Sequence, residues 1–201
     1  MSALPNPLSI AAENARLVAL LRESRERFLA SFAEVTEQDC RRSPAEGCWS
    51  VMDCVEHLVA AESLMLKRLQ TERNPRPAGA PNREQVFLER MGSRERKVLA
   101  PESGQPSGRF PTIDAARKRF EEVRGATIRF AEDNTDDLRA TEVMHPHPLV
   151  GIVSSYEMLI IIAKHAERHA LQIQDIKAAL SRGILAEFET SLDLGKHGRN
   201  T

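Results

Sequence analysis

His165-Ala166-Glu167-Arg168-His169-Ala170-Leu171-Gln172 lies inside a long apolar, helix-forming run, residues 152–180. Four positions separate the two histidines, so on a helix both imidazoles share one face, one turn apart. A helix uses that spacing to offer two nitrogens to one metal ion. Taken alone, such a pair more often sits unliganded on a half-buried face, because spacing motifs have low specificity. The rest of the chain decides between the two readings.

The chain has 201 residues, enough for one compact domain over 1–201. Hydrophobic residues make up 41% of it, so it can build a sizeable core. Twenty-eight Lys and Arg against 29 Asp and Glu leave a formal charge of -1. This balance argues against a nucleic-acid binder driven by phosphate neutralisation. No apolar run approaches a membrane span. The start, Met1-Ser-Ala-Leu-Pro-Asn-Pro, lacks the basic and apolar regions of a signal peptide. Three cysteines do not suggest a disulfide framework. The expected compartment is the cytoplasm.

Gly and Pro cluster at residues 74–111 and 145–151 and leave long stretches free of helix breakers. In the first stretch, about residues 10–35, Leu17, Leu20, Leu21, Phe28, Phe32 and Val35 recur at helical spacing. A second helix follows Trp49-Ser50, where Ser50 and Asp53 resemble a capping box. Its stripe is Val51, Cys54, Leu58, Ala61, Met65 and Leu69, with His57 on the flank, and it stops near Thr71. Within the long connection, residues 83–99 read as a short, highly charged surface helix. The third long helix starts after Thr112, buries Ile113, Ala116, Phe120, Val123, Thr127 and Phe130, and ends near Asp137. The fourth starts at Ser154, with Glu157 completing a capping box, and stops at Gly183. A tail follows over about residues 184–201.

Two short links and one long crossover, residues 74–111, define an all-α four-helix bundle in up-down-down-up order. Helices 2 and 4 then run antiparallel. His57 lies 14 residues before Thr71, about 21 Å along its helix. His165 and His169 lie 11 and 15 residues after Ser154, about 17 and 23 Å. If those helix ends are level, the three histidines stand at one height. In a parallel arrangement His57 would sit only about 10 Å from the shared end, and the cluster would not close.

Three neutral imidazoles suit one divalent transition metal, such as zinc, nickel, iron or cobalt. Three protein ligands leave a position for water or substrate, as catalytic sites do. Each ligating ring also needs a partner on its other nitrogen, and Asp53 and Gln172 are on suitable faces.

Trp49-Ser50, Glu56-His57-Leu58 and His165-Ala-Glu-Arg-His169-Ala-Leu-Gln172-Ile173 together resemble the DinB-like family of metal-binding four-helix bundles. His145-Pro-x-x-x-x-Gly151 resembles one branch of it. The resemblance spans essentially the whole chain in order and spacing. It implies that His57, His165 and His169 are the metal ligands, and that the chain forms a homodimer. It also implies a choice of functions. Some relatives transfer a low-molecular-weight thiol to an electrophile or isomerise a thiol adduct; others are described as metal-dependent hydrolases. A stress-linked protein that only binds metal or a small molecule is the non-enzymatic alternative.

Among the other candidates, Cys54 is more often a small core residue than a thiolate ligand. Trp49 reads as a helix-start anchor that could border the pocket. His145 and His147 lie in a Pro-rich loop, where they either line the pocket mouth or simply follow its packing. No second carboxylate pair and no nucleophile–base arrangement stands elsewhere in the chain. A metal-dependent thiol transferase acting on a small electrophile is therefore the expected activity, with hydrolysis as runner-up.

Overall fold

The computed structural model describes residues 7–94, 100, 104–144 and 150–197, with residues 7, 8 and 184–197 as backbone. The elements in order are α1 (Pro7–Ser31), α2 (Val51–Thr71), β1 (Arg73–Pro75), α3 (Glu84–Arg90), α4 (Ile113–Asp133), β2 (Thr141–Val143) and α5 (Ser155–His197). The four long helices, α1, α2, α4 and α5, form the bundle. Its fold class is the one the distribution of breakers predicts.

Local chemistry sets the helix starts. Ser50 caps α2: its hydroxyl accepts the Asp53 N–H at 3.2 Å, and Asp53 Oδ2 accepts the Ser50 N–H at 2.8 Å. Thr112 caps α4 by accepting the Ala115 N–H at 3.1 Å. Ser154 and Glu157 form the same reciprocal pair ahead of α5, at 2.8 and 3.0 Å. Helix ends differ more from expectation. α1 begins at Pro7, a residue tolerated in a first turn, and gives way to turns after Ser31, short of Val35. α4 ends at Asp133 rather than near Asp137, because Asn134 is extended. Gly183 does not stop α5, which continues to His197 and takes up most of the expected tail. A glycine ends a helix by turning left-handed, and Gly183 is not among the glycines with positive φ. The residues after it, Ile184-Leu185-Ala186-Glu187, include good helix formers and no proline.

Two short strands that the sequence did not announce fix the helix directions. β1 and β2 pair antiparallel, Arg73 opposite Val143 and Pro75 opposite Thr141. β1 follows α2 directly and β2 lies between α4 and α5. The C-terminal ends of α2 and α4 and the N-terminal end of α5 therefore share one end of the bundle. Glu13 of α1 meets Arg139 at that same end, at 2.8 Å. The order is up-down-down-up, with α2 and α5 antiparallel.

The crossover then has to travel the bundle's length, and it is fastened along the way. Glu157, buried at the start of α5, accepts the Arg83 N–H at 2.7 Å and the Arg76 guanidinium at 3.3 Å. Arg94 meets Asp175 at 2.9 Å. At the far end Arg41 donates to the carbonyls of Phe110 and Pro111. The charged helix expected over 83–99 is α3, which ends at Arg90 before Gly92; residues 95–99 lie outside the described part.

The core falls into two apolar halves. One gathers Leu17, Leu21, Met65, Leu69, Ile128, Tyr156 and Leu159. The other gathers Phe28, Phe32, Val51, Cys54, Leu58, Phe120, Ala166 and Ile173. Between them lies a polar layer. Arg124 of α4 makes a two-pronged contact with Glu62 of α2, with Nε and Nη2 each 2.8 Å from a carboxylate oxygen. Its Nη1 donates to the Leu21 carbonyl at 3.0 Å and to Ser24 Oγ at 2.8 Å on α1. Thr127 Oγ1 donates to Glu62 at 2.8 Å. Both charged side chains are 0% exposed.

Candidate metal centre

The capped start of α2 puts His57 two turns in, facing α5. The antiparallel α5 brings His165 and His169 to the same height. His57 Nε2 is 3.2 Å from His165 Nε2, and His169 Nε2 is 3.0 Å from it. All three rings thus point one nitrogen at a common spot, and a ligand atom from each lies within 4.8 Å of the others. Two nitrogens held about 2.0–2.1 Å from one metal, at octahedral to tetrahedral angles, stand about 2.8–3.4 Å apart. The two measured separations fall in that range, so the residues fit a divalent metal.

Protonation agrees with the geometry. His57 Nδ1 lies 2.6 Å from the Gly104 carbonyl, which can only accept, so Nδ1 carries the proton. In the neutral ring Nε2 then presents a bare lone pair to the centre, as a metal ligand must. Burial pushes the His57 pKa below its usual value, while the Gly104 bond works the other way. His169 is held well below its usual value, first by burial and then by the charges of His165, His57, Arg168 and Arg94. Both rings are therefore neutral at neutral pH. His169 Nδ1 is buried and has no hydrogen-bond partner among the described residues.

The sign of the consequence for stability is fixed. Unfolded, these histidines bind protons near pH 6.5; folded, they resist them. The contribution of these two histidines to the stability of the metal-free protein should be full above about pH 7 and be lost as pH falls below about 6.5. Urea unfolding at a series of pH values measures this, and a His169→Ala variant should show a shallower fall.

Other anticipated residues take different places. Trp49 stands beside the histidine cluster: its ring is 4.9 Å from the His57 ring, and 6.0 Å from the His169 ring at an interplanar angle of 16°. Asp53 does not serve a histidine. Both backbone and hydroxyl of Ser50 occupy its Oδ2, at 2.8 Å each, and the partner of His57 Nδ1 is Gly104. Gln172 is half-buried on α5, a turn beyond His169. Cys54 is fully buried in the apolar half, and burial pushes its thiol pKa strongly up, so it is a core residue and not a thiolate. His145 and His147 lie outside the described residues. A groove of about 570 Å³ runs along a different face of α5, by Arg27, Lys164 and Glu167, whose charges are paired with one another.

Sequence reading did not find Gly104 or the role of Glu56. Glu56 is 1% exposed and accepts the backbone N–H groups of Ser107 and Arg109, at 2.5 and 2.9 Å. The available clue was a lone acid in the otherwise apolar Cys54-Val55-Glu56-His57-Leu58-Val59.

Fold and site together define a class: an up-down-down-up helical bundle with three convergent histidines at the seam of its second and last helices. The chain belongs to the DinB superfamily, whose sequence model matches residues 20–173. Among solved structures it is similar to YfiT from Bacillus subtilis, described as a probable metal-dependent hydrolase with an unusual four-helix bundle topology. The two share 16% identity over 84% of this chain and 87% of that one, with a TM-score of 0.54. That likeness is one of fold. No curated protein sequence matches the chain. No described helix is long and apolar enough to cross a membrane.

Proposed function

We propose that the protein binds one divalent transition metal through His57, His165 and His169, with zinc, nickel and iron as candidates, and uses the open side of that site to transfer a small thiol to an electrophile. The observation that carries this reading is the convergence of three imidazole nitrogens, with no carboxylate among them in the described residues. A divalent metal held there supplies a deprotonated thiol, or a deprotonated water, at neutral pH.

The chain's own residues suit the thiol. Glu56 is occupied by two backbone amides and Asp53 by the helix cap, so neither is placed as a general base. A thiol, with a far lower pKa than water, has least need of one. Cys54 is too buried and too weakly acidic to compete as a nucleophile. Trp49 supplies a flat apolar wall beside His57 and His169, suited to an apolar or aromatic electrophile. The reading includes a homodimer in the cytoplasm and a small-molecule substrate.

Hydrolysis is the second reading, favoured by the description of YfiT. One assay separates the two. The metal-loaded protein is given a chloro-dinitroarene with cysteine, glutathione or a sugar thiol in turn, and separately an ester series. Thiol-dependent turnover that falls to background in His169→Ala is the expected result. Ester cleavage indifferent to thiol would replace it with the hydrolase. Silence in both, across metals and thiols, would leave a binding protein.

A further inference from the structure

Glu56 and His57 are adjacent in α2, and one short piece of the crossover, residues 104–109, holds them both. His57 Nδ1 donates to the Gly104 carbonyl at 2.6 Å. Glu56 Oε1 accepts the Ser107 N–H at 2.5 Å, and Oε2 accepts the Arg109 N–H at 2.9 Å. The Ser107 hydroxyl and the Arg109 guanidinium add contacts at 3.3 and 3.7 Å. We propose that Glu56 is a positioning residue for the metal centre: it fastens residues 107–109 so that the Gly104 carbonyl stays on His57 and keeps its Nε2 aimed and unprotonated. The proposal rests on the metal reading above.

The geometry supports coupling over a plain structural staple. Glu56 is not a ligand, since both its oxygens are filled from the loop and it stands outside the histidine cluster. Gly108, between the two donating amides, takes φ of 74°, a left-handed conformation that turns both N–H groups toward one carboxylate. Only two residues, Gln105 and Pro106, separate Gly104 from Ser107, three steps and at most about 10 Å of chain. Pro106 stiffens that stretch. Movement at Ser107 must therefore reach the Gly104 carbonyl, and a hydrogen bond at 2.6 Å tolerates little movement.

The other end of the crossover provides a matched control. Glu157 is also 1% exposed and also accepts a crossover backbone N–H, that of Arg83 at 2.7 Å, but touches none of the three histidines. A staple that only holds the fold would behave alike at both ends. A positioning residue would not.

The test compares Glu56→Gln with Glu157→Gln in the full chain. A glutamine offers one acceptor where two amides need two, and turns its own NH2 toward a donor. Zinc affinity is measured by competition with a chromophoric chelator, and the His57 tautomer by 15N NMR of the metal-free protein. We expect Glu56→Gln to weaken zinc about 10–100-fold, the range for loss of an outer partner. We expect His57 to pass from one Nδ1–H tautomer to a mixture. Glu157→Gln should lower the melting temperature but keep zinc affinity within about twofold of wild type, since it touches no histidine. If Glu56→Gln does not fold, Gly108→Ala strains the same loop from its own backbone and should reproduce both effects. Wild-type zinc affinity and tautomer in the loop variant, or equal zinc loss in Glu157→Gln, would overturn the proposal. A wild-type protein that takes up no zinc, nickel or iron would sink the metal reading instead, and the tautomer measurement alone would then decide the role of Glu56.

Discussion

Arg124→Met destabilises the bundle by about 3–5 kcal/mol, the usual cost of breaking a buried ion pair by removing one partner. In a chain of this size that corresponds to a fall of about 6–20 °C in melting temperature. Methionine roughly keeps the length of the arginine stem, so the loss is not mainly a cavity. What remains is the Glu62 carboxylate at 0% exposure, with the Thr127 hydroxyl as its one hydrogen-bond donor among the described contacts. The same layer should be replaceable as a unit. Adding Glu62→Leu to Arg124→Met removes both charges and leaves nothing orphaned: Thr127 Oγ1 also donates to the Val123 carbonyl at 3.1 Å, and Ser24 Oγ to the Leu21 carbonyl at 3.1 Å. The double variant should recover most of the lost stability and retain metal binding, because the layer makes no contact with the histidines. Thermal melts of the two single variants and the double decide it. Additive losses in the double variant would show that packing, and not an uncompensated charge, carries the effect.

That layer marks a limit of what the sequence displays. Glu62 and Arg124 stand among many charged residues on helices with charged outer faces, and nothing local separates a buried carboxylate from a solvated one. Their partnership depends on the rotation of α2 and α4 about their axes, which only packing sets. Features carried by local spacing were legible. Ser50 and Asp53 announce the start of α2 because the capping box closes within one turn. The common height of His57, His165 and His169 follows from rise per residue once the breakers give the topology. Contacts made through the crossover were not legible. Gly104 reaches His57 across 47 positions through an irregular segment, and no periodicity registers such a contact. β1 and β2 are three residues each, too short for an alternating pattern to show. Gly183 misled for a related reason: a glycine permits a helix stop but does not compel one.

His165→Ala should reduce metal content from about one ion per chain to near zero. Its affinity should fall more than about 100-fold, beyond the loss of an outer partner. His165 is the hub of the cluster, since its Nε2 is the atom within 3.2 Å of His57 and 3.0 Å of His169. Without it, two nitrogens on different helices remain, too few for a site with one position left open. The fold should not suffer. His165 is only half-buried, alanine favours helix, and the neighbouring core residues Ile162 and Ala166 stay in place. Helical circular dichroism should be unchanged. The melting temperature without metal should be close to wild type. The two proteins should part when metal is added. At about 100 times the dissociation constant, a ligand that binds only the native state stabilises it by about 2.7 kcal/mol. Wild type should gain that increment and the variant should not. Cys54→Ala serves as the opposite control: it removes a buried thiol, should cost stability through lost packing, and should leave metal content untouched. Elemental analysis of protein purified without added metal, run beside melts with and without zinc, reads all of this together. Full occupancy in His165→Ala, or a metal that leaves with Cys54, would move the site off the three histidines.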